Sequence, residues 1–416
     1  MTQDEFVKQQ YNDWIANETP ISNIDEFELK EIIVSELSQI STMDVKEYTL
    51  FQKWAEIQDR YPTIIVNELF EGPRKVIKDH TQQRLIEKIK RNIWIPNSIE
   101  DYLNLHPELI FCDDNSQIWN CFRTFISTQK NNSNIGRNLN FIVQDKVTKK
   151  YLGVICISSD FMDLTARDTY IGWSREHKTY SGKLNHIAIC STIVPTQPFG
   201  YNYVGGKLLS LLCLSDTIQE IWKKKYKNTL VGLSTTSLYG NTKDQGLSQY
   251  DNLKFWKKMG FSKGSISFEP KKETLKVLFS WVRLNYPEKY FRYFVARTLS
   301  DQPLVRQYKD RAIKFAFSKL QIPKELTFTK HFRGIYFAEL YDNTKAFLNG
   351  SEEPLVKSFD TSVEYLTELW KQKYAKRRIE SLIKNNRVSN EILFYDDIIF
   401  KDWNETKETY LNQVGR

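Results

Sequence analysis

No run of about 18 uncharged apolar residues occurs anywhere in the chain, so a membrane span is not expected. The opening stretch, MTQDEFVKQQYNDW, is polar and lacks the apolar centre of a secretory signal, which predicts a cytoplasmic location. Cysteine is scarce. The five present, Cys112, Cys121, Cys156, Cys190 and Cys213, form no C-x-x-C pair and three lie in apolar runs, so a disulfide framework and a thiolate zinc site are both disfavoured and reduced, structural thiols are expected. Glycine is scarce too, with 16 in 416 residues, yet Gly200, Gly205 and Gly206 crowd into one stretch, STIVPTQPFGYNYVGGKLLSLL, residues 191–212. Neither the phosphate-binding G-x-x-x-x-G-K-[ST] nor G-x-G-x-x-G is found there.

The chain is longer than a usual single domain, and 41% hydrophobic residues are enough for a sizeable core. A net charge of +8 is moderate, but it is concentrated in RKVIKDHTQQRLIEKIKR, residues 74–91, and KQKYAKRRIESLIKNNR, residues 371–387. Such runs are either solvated helix faces or contacts to a phosphate backbone, where clustered cations release condensed counterions. On the second alternative Arg74, Lys75, Arg377 and Arg378 touch nucleic acid, and DNA is the expected partner.

Residues 1–134 carry a helical pattern, with Leu29, Ile32, Ile33 and Leu37 on one stripe and the same period in HTQQRLIEKIK. The Asn-rich loop KNNSNIGRN then leads to a different texture, which places a boundary near Asn131. Residues 135–270 alternate short β-like runs, NLNFIVQD, KYLGVICISS after a VTKK turn, KLNHIAICSTIVP and NTLVGLSTTSLYG, with a helix bearing Leu208, Leu211, Leu212 and Ile218. YDNLKFWKKMGF is expected to be a short amphipathic helix with Leu253 and Trp256 on one side. Residues 271–416 return to mainly helical patterns, interrupted by TFTKHFRGIYFAEL, read as a short strand pair. An α/β fold follows, with a mixed sheet flanked by N- and C-terminal helical regions.

A strand ending in TIVP, a glycine-bearing turn and a helix starting near Tyr203 or Val204 would present free N–H groups and a positive helix end to an anion. The alternative use of these glycines is close packing of helix on sheet. The order strand, turn, helix, strand, then MGF resembles the GNAT acyltransferase core, whose [QR]-x-x-G-x-[GA] turn cradles the cofactor's pyrophosphate. Gln197 and Gly200 match its first two glycine-turn positions, while Asn202 stands at the third. That resemblance implies acetyl-CoA or another acyl-CoA bound by Ile193, Val194, Gln197, Gly200, Gly205 and Gly206.

ARDTYIGWSREHK, residues 166–178, followed by Asn185 and the TIVP turn, resembles the RD-x-x-IGW signature of the Druantia DruA-type family, phage-encoded members included. The similarity runs from about Arg137 to Phe261 and extends to the GNAT-like, adenine-modifying Mom proteins of phages. The family's upstream H-Y-L-G is absent, and KNNSNIGRNLNF stands in its place. What the resemblance implies is a GNAT-like mixed sheet core and a transferase that modifies a DNA base, acting in the host cytoplasm when phage-encoded. Two alternatives stay open: a non-catalytic DNA-binding component working with a helicase or transposase, and an ordinary CoA-dependent N-acyltransferase.

Adjacent Arg167 and Asp168 would point to opposite sides of a strand or turn, the arginine pinning an anion and the aspartate accepting a proton, unless they form an internal ion pair against Trp173. Tyr170 and Trp173 would stack on an extruded base or serve as core aromatics. The hydroxyl cluster Ser234, Thr235, Thr236, Ser237 and Tyr239 ends a strand that splays from its neighbour in GNAT-like sheets. Ser237 is the preferred catalytic hydroxyl and Tyr239 a substrate contact, with β propensity as the alternative. Tyr250 stands where many GNAT enzymes carry a tyrosine general acid. His177 and His186 are lone histidines without a second ligand at metal spacing, and no metal is assigned.

Overall fold

A computed structural model describes residues 3–60, 63–66, 74–77, 80–112, 116–130, 136–239, 248–296, 306–394 and 401–414. The boundary expected between residues 134 and 135 lies outside them. Two units emerge, one of Met1–Tyr48 with Gly264–His331 and one of Thr49–Lys263 with Phe332–Arg416.

The first unit is helical at its core. Asp25 caps the helix Glu26–Ser41 by accepting hydrogen bonds from the N–H groups of Phe27 and Glu28, two of the donors a helix start leaves without partners. Leu29, Ile33, Leu37 and Ile40 form its buried stripe, each contributing about 1.5–3 kcal/mol by leaving water. Ile32, expected on that stripe, is 42% exposed, because one residue further round turns it by about 100° away from the Ile33 face. In the helix Lys272–Asn285, Leu275, Leu278, Trp281 and Val282 are buried. Its Thr274 hydroxyl and the Lys271 N–H both donate to the Glu36 carboxylate.

In the second unit β1 (Thr63–Val66) and β2 (Arg74–Ile77) form a hairpin. The main sheet comprises β3 (Pro107–Cys112), β4 (Asn138–Asp145), β5 (Tyr151–Ser159), β6 (Ile187–Pro195), β7 (Gly232–Ser237), β8 (Trp256–Ser267) and β9 (Phe328–Glu339). Among the described residues its order is β3-β4-β5-β6-β7-β9-β8, the last part of β8 and the first part of β9 falling within the chain segments of the first unit. β6 and β7 pair in parallel, and the ladders β3–β4, β4–β5, β5–β6 and β7–β9 are antiparallel. Alternation sends Phe141 and Ile155 to one face, against the helix Gly205–Leu212, and Ile142 and Val154 to the other, against the helix Gln117–Ile126.

A mixed α/β fold with flanking helices is therefore present. Four of its strands match the runs read from sequence, but three do not. PELIFC, residues 107–112, adds an edge strand within the region read as helical. TFTKHFRGIYFAEL supplies one long strand rather than a pair, and its β9 residues insert between β7 and β8. The expected helix YDNLKFWKKMGF is instead a turn followed by β8: Asn252 and Phe255 take the left-handed conformation, at φ 57° and 74°, which no helix accommodates. Asn185 sits in the 3₁₀ turn Lys183–His186, before β6 begins.

Candidate functional site

The R-D of the signature lies on the short helix Thr165–Ile171, not on a strand or turn, and its side chains meet. Arg167 is fully buried; its Nε and Nη2 donate to Asp168 Oδ1 at 2.8 and 2.6 Å, and its Nη1 lies 2.9 Å from Asp160 Oδ2. The expectation of opposite sides and separate partners is thus corrected, and the internal ion pair is what forms. The helix brings this about by turning the two residues toward one carboxylate-lined corner. Asp168 Oδ2 is also held by Lys178 Nζ at 2.9 Å, so its oxygens are committed to two cations. Asp163 completes the cluster at 2.6 Å from the same ammonium, which holds its carboxyl below the usual range. Burial opposes the Lys178 charge, but the bonds to Asp163 and Asp168 outweigh it and raise its pKa.

Asp160 was not singled out from sequence. It follows β5 directly, its side chain is wholly buried, and it accepts the Ser234 hydroxyl at 2.7 Å and the Phe161 N–H at 2.7 Å. Burial pushes its carboxyl pKa up, against the opposing charge of Arg167. The available signal was a paired-acid loop, S-S-D-F-M-D, between a β-branched run and a helix start.

The remaining signature residues are structural neighbours. Gly172 is the left-handed cap of the helix, at φ 75°, a conformation glycine adopts without a Cβ clash. Trp173 donates its indole N–H to Leu348 O at 2.9 Å and lies under the Arg167 guanidinium at 5.5 Å. Tyr170 gives its hydroxyl to Glu339, takes a bond from Lys257 and has Lys345 Nζ 3.5 Å above its ring. Base stacking on that Tyr170 face would displace Lys345. His177 bonds Ser174, and His186 Nδ1 lies 2.8 Å from Thr229 O, with burial lowering its pKa. Asn185 accepts from the guanidinium of Arg137 through both its backbone and its side-chain oxygens.

The hydroxyls of β7 divide between two faces. Ser234 points to Asp160, whereas Thr235 donates to Cys190 O at 3.1 Å and lies 3.2 Å from the Tyr250 hydroxyl. Tyr250 is buried beside Trp256 and Tyr336, and burial drives its pKa upward. Ser237 ends the strand and accepts the Tyr239 N–H at 3.1 Å. Between these faces β6 and β7 keep register for only three pairs, Ile187↔Gly232 to Ile189↔Ser234. Beyond them each strand holds its outer neighbour while the two part company.

At the glycine turn the contacts accord with the close-packing alternative. Two helices, Phe199–Tyr203 and Gly205–Leu212, meet at a left-handed Val204, φ 48°, in place of one helix starting near Tyr203. A Cβ on Gly205 would enter the Phe199 ring, one on Gly206 would meet the Gln249 carboxamide, and one on Gly200 would lie 2.7 Å from Gln197 Nε2. The N–H of Tyr201 is taken by Gln197 Oε1, and Trp370, Arg378 and Ser389 bond Tyr203 O, Tyr201 O and Asn202. Side chains of the chain itself thus crowd the three glycines. Ile193, at 9% exposure, belongs to the core, and Val194 packs against the opposite face.

Of the basic residues, Arg377 is exposed, while Arg378 is half-buried, its Nε on Tyr201 O at 3.1 Å and its guanidinium 4.7 Å from the Tyr201 ring. Arg74 and Lys75 fall in β2, and their side chains lie outside the described residues. All five cysteines are buried and none is in a disulfide. Among the described residues no helix is long and apolar enough to cross a membrane.

The site is thus a mixed α/β sheet whose parallel pair β6–β7 parts, backed by a buried Arg–Asp knot. The profile of the Druantia protein DruA family matches residues 74–350, more than half of the chain, and the chain belongs to that family. It is 27% identical over 144 residues to Druantia protein DruA of Escherichia coli (strain UMEA 4076-1), a match covering 32% of this chain and 35% of that protein. The matched part thus spans about a third of the curated relative's length. No solved structure matches the chain.

Proposed function

We propose that the protein is a GNAT-like transferase that modifies a DNA base, adenine N6 as in Mom proteins, and so shields phage DNA from host nucleases. The observation that carries this is the parting of β6 from β7 after three registered pairs, with Thr235 and Ser237 on the strand that leaves and the Tyr250 hydroxyl, from the turn before β8, 3.2 Å from Thr235. A gap between two otherwise paired strands admits an extended group edge-on, and hydroxyls beside it can bond a reacting carbonyl or an exocyclic amine. Tyr250 and Thr235 form one hydroxyl pair there, and Ser237 stands at the strand end.

The glycine turn lends acetyl-CoA or another acyl-CoA little support, since Gln197 already takes the Tyr201 N–H and Phe199 and Gln249 crowd Gly205 and Gly206. No step is assigned to that group. Asp168 bonds two cations and is poorly placed to take a proton, so its support is for holding the loop rather than for base catalysis. These same two observations favour a second function, a non-catalytic DNA-binding component that presents nucleic acid to a partner. An ordinary N-acyltransferase would need the turn most and fits least.

Cleavage of plasmid DNA from expressing cells by a panel of restriction nucleases separates the first two. Base modification predicts resistance to enzymes that read the altered base, lost in Ser237→Ala. Full cleavage by every enzyme alongside tight DNA binding by the purified protein supports the binding component.

A further inference from the structure

Next to the Arg167 knot the chain displays two large apolar side chains that nothing above uses. Phe161 is 54% and Met162 60% exposed, directly after Asp160, whose side chain is wholly buried. Exposed apolar loop tips are ordinarily mobile, but this one is tied from within. Arg167 Nη1 donates to Phe161 O at 2.9 Å and Nη2 reaches Met162 O at 3.5 Å, while Lys178 holds Asp163 at 2.6 Å. A fully buried guanidinium thus fixes the backbone of the tip and leaves both side chains outward.

Behind the tip the sheet has a polar floor on the same face. A bulge between Cys156 and Ile157 in the β5–β6 register makes Ser191 the extra residue of β6, and Ser191 is exposed although it sits on a central strand. Its hydroxyl lies 2.7 Å from that of Ser158, two residues before Asp160. Thr192, next to Ser191 and opposite Cys156, is 6% exposed and its buried hydroxyl has no hydrogen-bond partner among the described residues. The floor residues Ser158, Ser191 and Thr192 offer neutral donors and acceptors, and Arg167, the buried cation nearest in sequence to the tip among the described residues, is committed to Asp160 and Asp168. A phosphate or carboxylate would find no counter-charge on it. A planar neutral group with hydrogen-bonding edges, a nucleobase, matches it. Positive charge stands outside the floor instead, on exposed Arg175 beside Asp163 and on Lys257 of β8, which is 61% exposed and bonds Glu339 and the Tyr170 hydroxyl.

We propose that Phe161 and Met162 form a rigid apolar wedge that enters the base stack of DNA and turns one nucleobase toward the hydroxyl floor of Ser158 and Ser191. Inserted Phe and Met side chains unstack base steps elsewhere at a cost of a few kcal/mol, met by the contacts a distorted duplex allows. Arg167 is then a positioning residue, acting through the tip. This rests on DNA being the ligand, as proposed above.

The test uses the full chain and duplexes carrying 2-aminopurine at a central position in several sequence contexts, with anisotropy of end-labelled DNA measured in parallel. Unstacking raises 2-aminopurine emission, and the wild type should raise it about threefold or more at saturation, the response expected of an extruded base. Phe161→Ala combined with Met162→Ala removes only exposed side chains; it should bind with Kd within about threefold of wild type, phosphate contacts being retained, yet lose most of the rise. Wild-type binding without a rise, or a double variant with the full rise, overturns the wedge while leaving DNA binding intact. No binding by either protein removes the DNA ligand and the wedge together.

Discussion

Replacing Gly205 by alanine isolates what the glycine turn does. Its backbone suits any residue, so the whole effect comes from the new Cβ, which would sit inside the 3.0 Å that packed carbons keep from Phe199 Cδ1 and Cε1. Phe199 has nowhere to go: it is fully buried, with ring centroids of Trp94, Trp370 and Tyr203 at 5.5, 5.6 and 6.4 Å. Overpacking a core of this kind costs about 1–3 kcal/mol, from which the stiffer unfolded chain of alanine subtracts about 0.4–1 kcal/mol. A net loss of roughly 1–2 kcal/mol lowers Tm by about 3–6 °C at the usual slope for large domains. Thermal and urea unfolding read this directly. In a Phe199→Leu background the same substitution should be nearly neutral, a coupling of about 1 kcal/mol or more in a double-mutant cycle. A Gly205→Ala protein as stable as wild type in the native background, but impaired in DNA modification, would refute the packing role and restore the anion cradle.

Arg167→Met should be far more damaging, about 3–5 kcal/mol by chemical denaturation, because it strands Asp160 in the interior without its partner; Asp160→Asn in the same chain should recover part of the loss. Lys207 lends stability a rise with pH: burial lowers its pKa to about 8 in the folded protein, so between about 8 and 10.5 the unfolded chain binds more protons and stability increases through that window. Urea titrations across this range should show the rise diminished in Lys207→Met, which also gives up the bonds to Gln249 O and Asp251 O at 2.9 and 2.6 Å. Arg377→Glu should leave stability unchanged and lower the salt slope of DNA binding by about one unit or more per lost phosphate contact, whereas Arg378→Glu should destabilise through loss of Tyr201; equal stability of the two variants would contradict the assigned contacts. Tyr250→Phe should cost only about 0.5–1.5 kcal/mol, since Thr235 keeps Cys190 O, and a proton-donating role would add a loss of modification of about a hundredfold or more.

Periodicity made the centre of the sheet legible. NLNFIVQD, KYLGVICISS and the β-branched STIVP run have two-residue alternation or continuous apolar character, and each is a strand where that pattern lies. Strands with charged or glycine-bearing sequences were not legible. WKKMGFSKGSIS spaces its lysines and aromatics as a surface helix would, and only the left-handed Asn252 and Phe255 before it, a tertiary choice, turn it into β8. PELIFC opens with proline and is held as a strand by pairing with β4. At the site, sequence adjacency made Arg167 and Asp168 visible but concealed that their shared corner contains Asp160, a residue brought there by the bend from β5 into the following helix. Phe161 and Met162 were equally hidden, because exposure is a property of the fold and not of the residue type.

Nucleoside mass spectrometry bears most directly on the central claim. DNA from cells producing the wild-type chain should yield a modified nucleoside absent from control DNA, and a Ser237→Ala chain of equal abundance and stability should yield little of it. Only the four unmodified nucleosides, from cells in which the wild-type chain is folded and bound to DNA, would contradict the transferase and leave the protein a DNA-binding component.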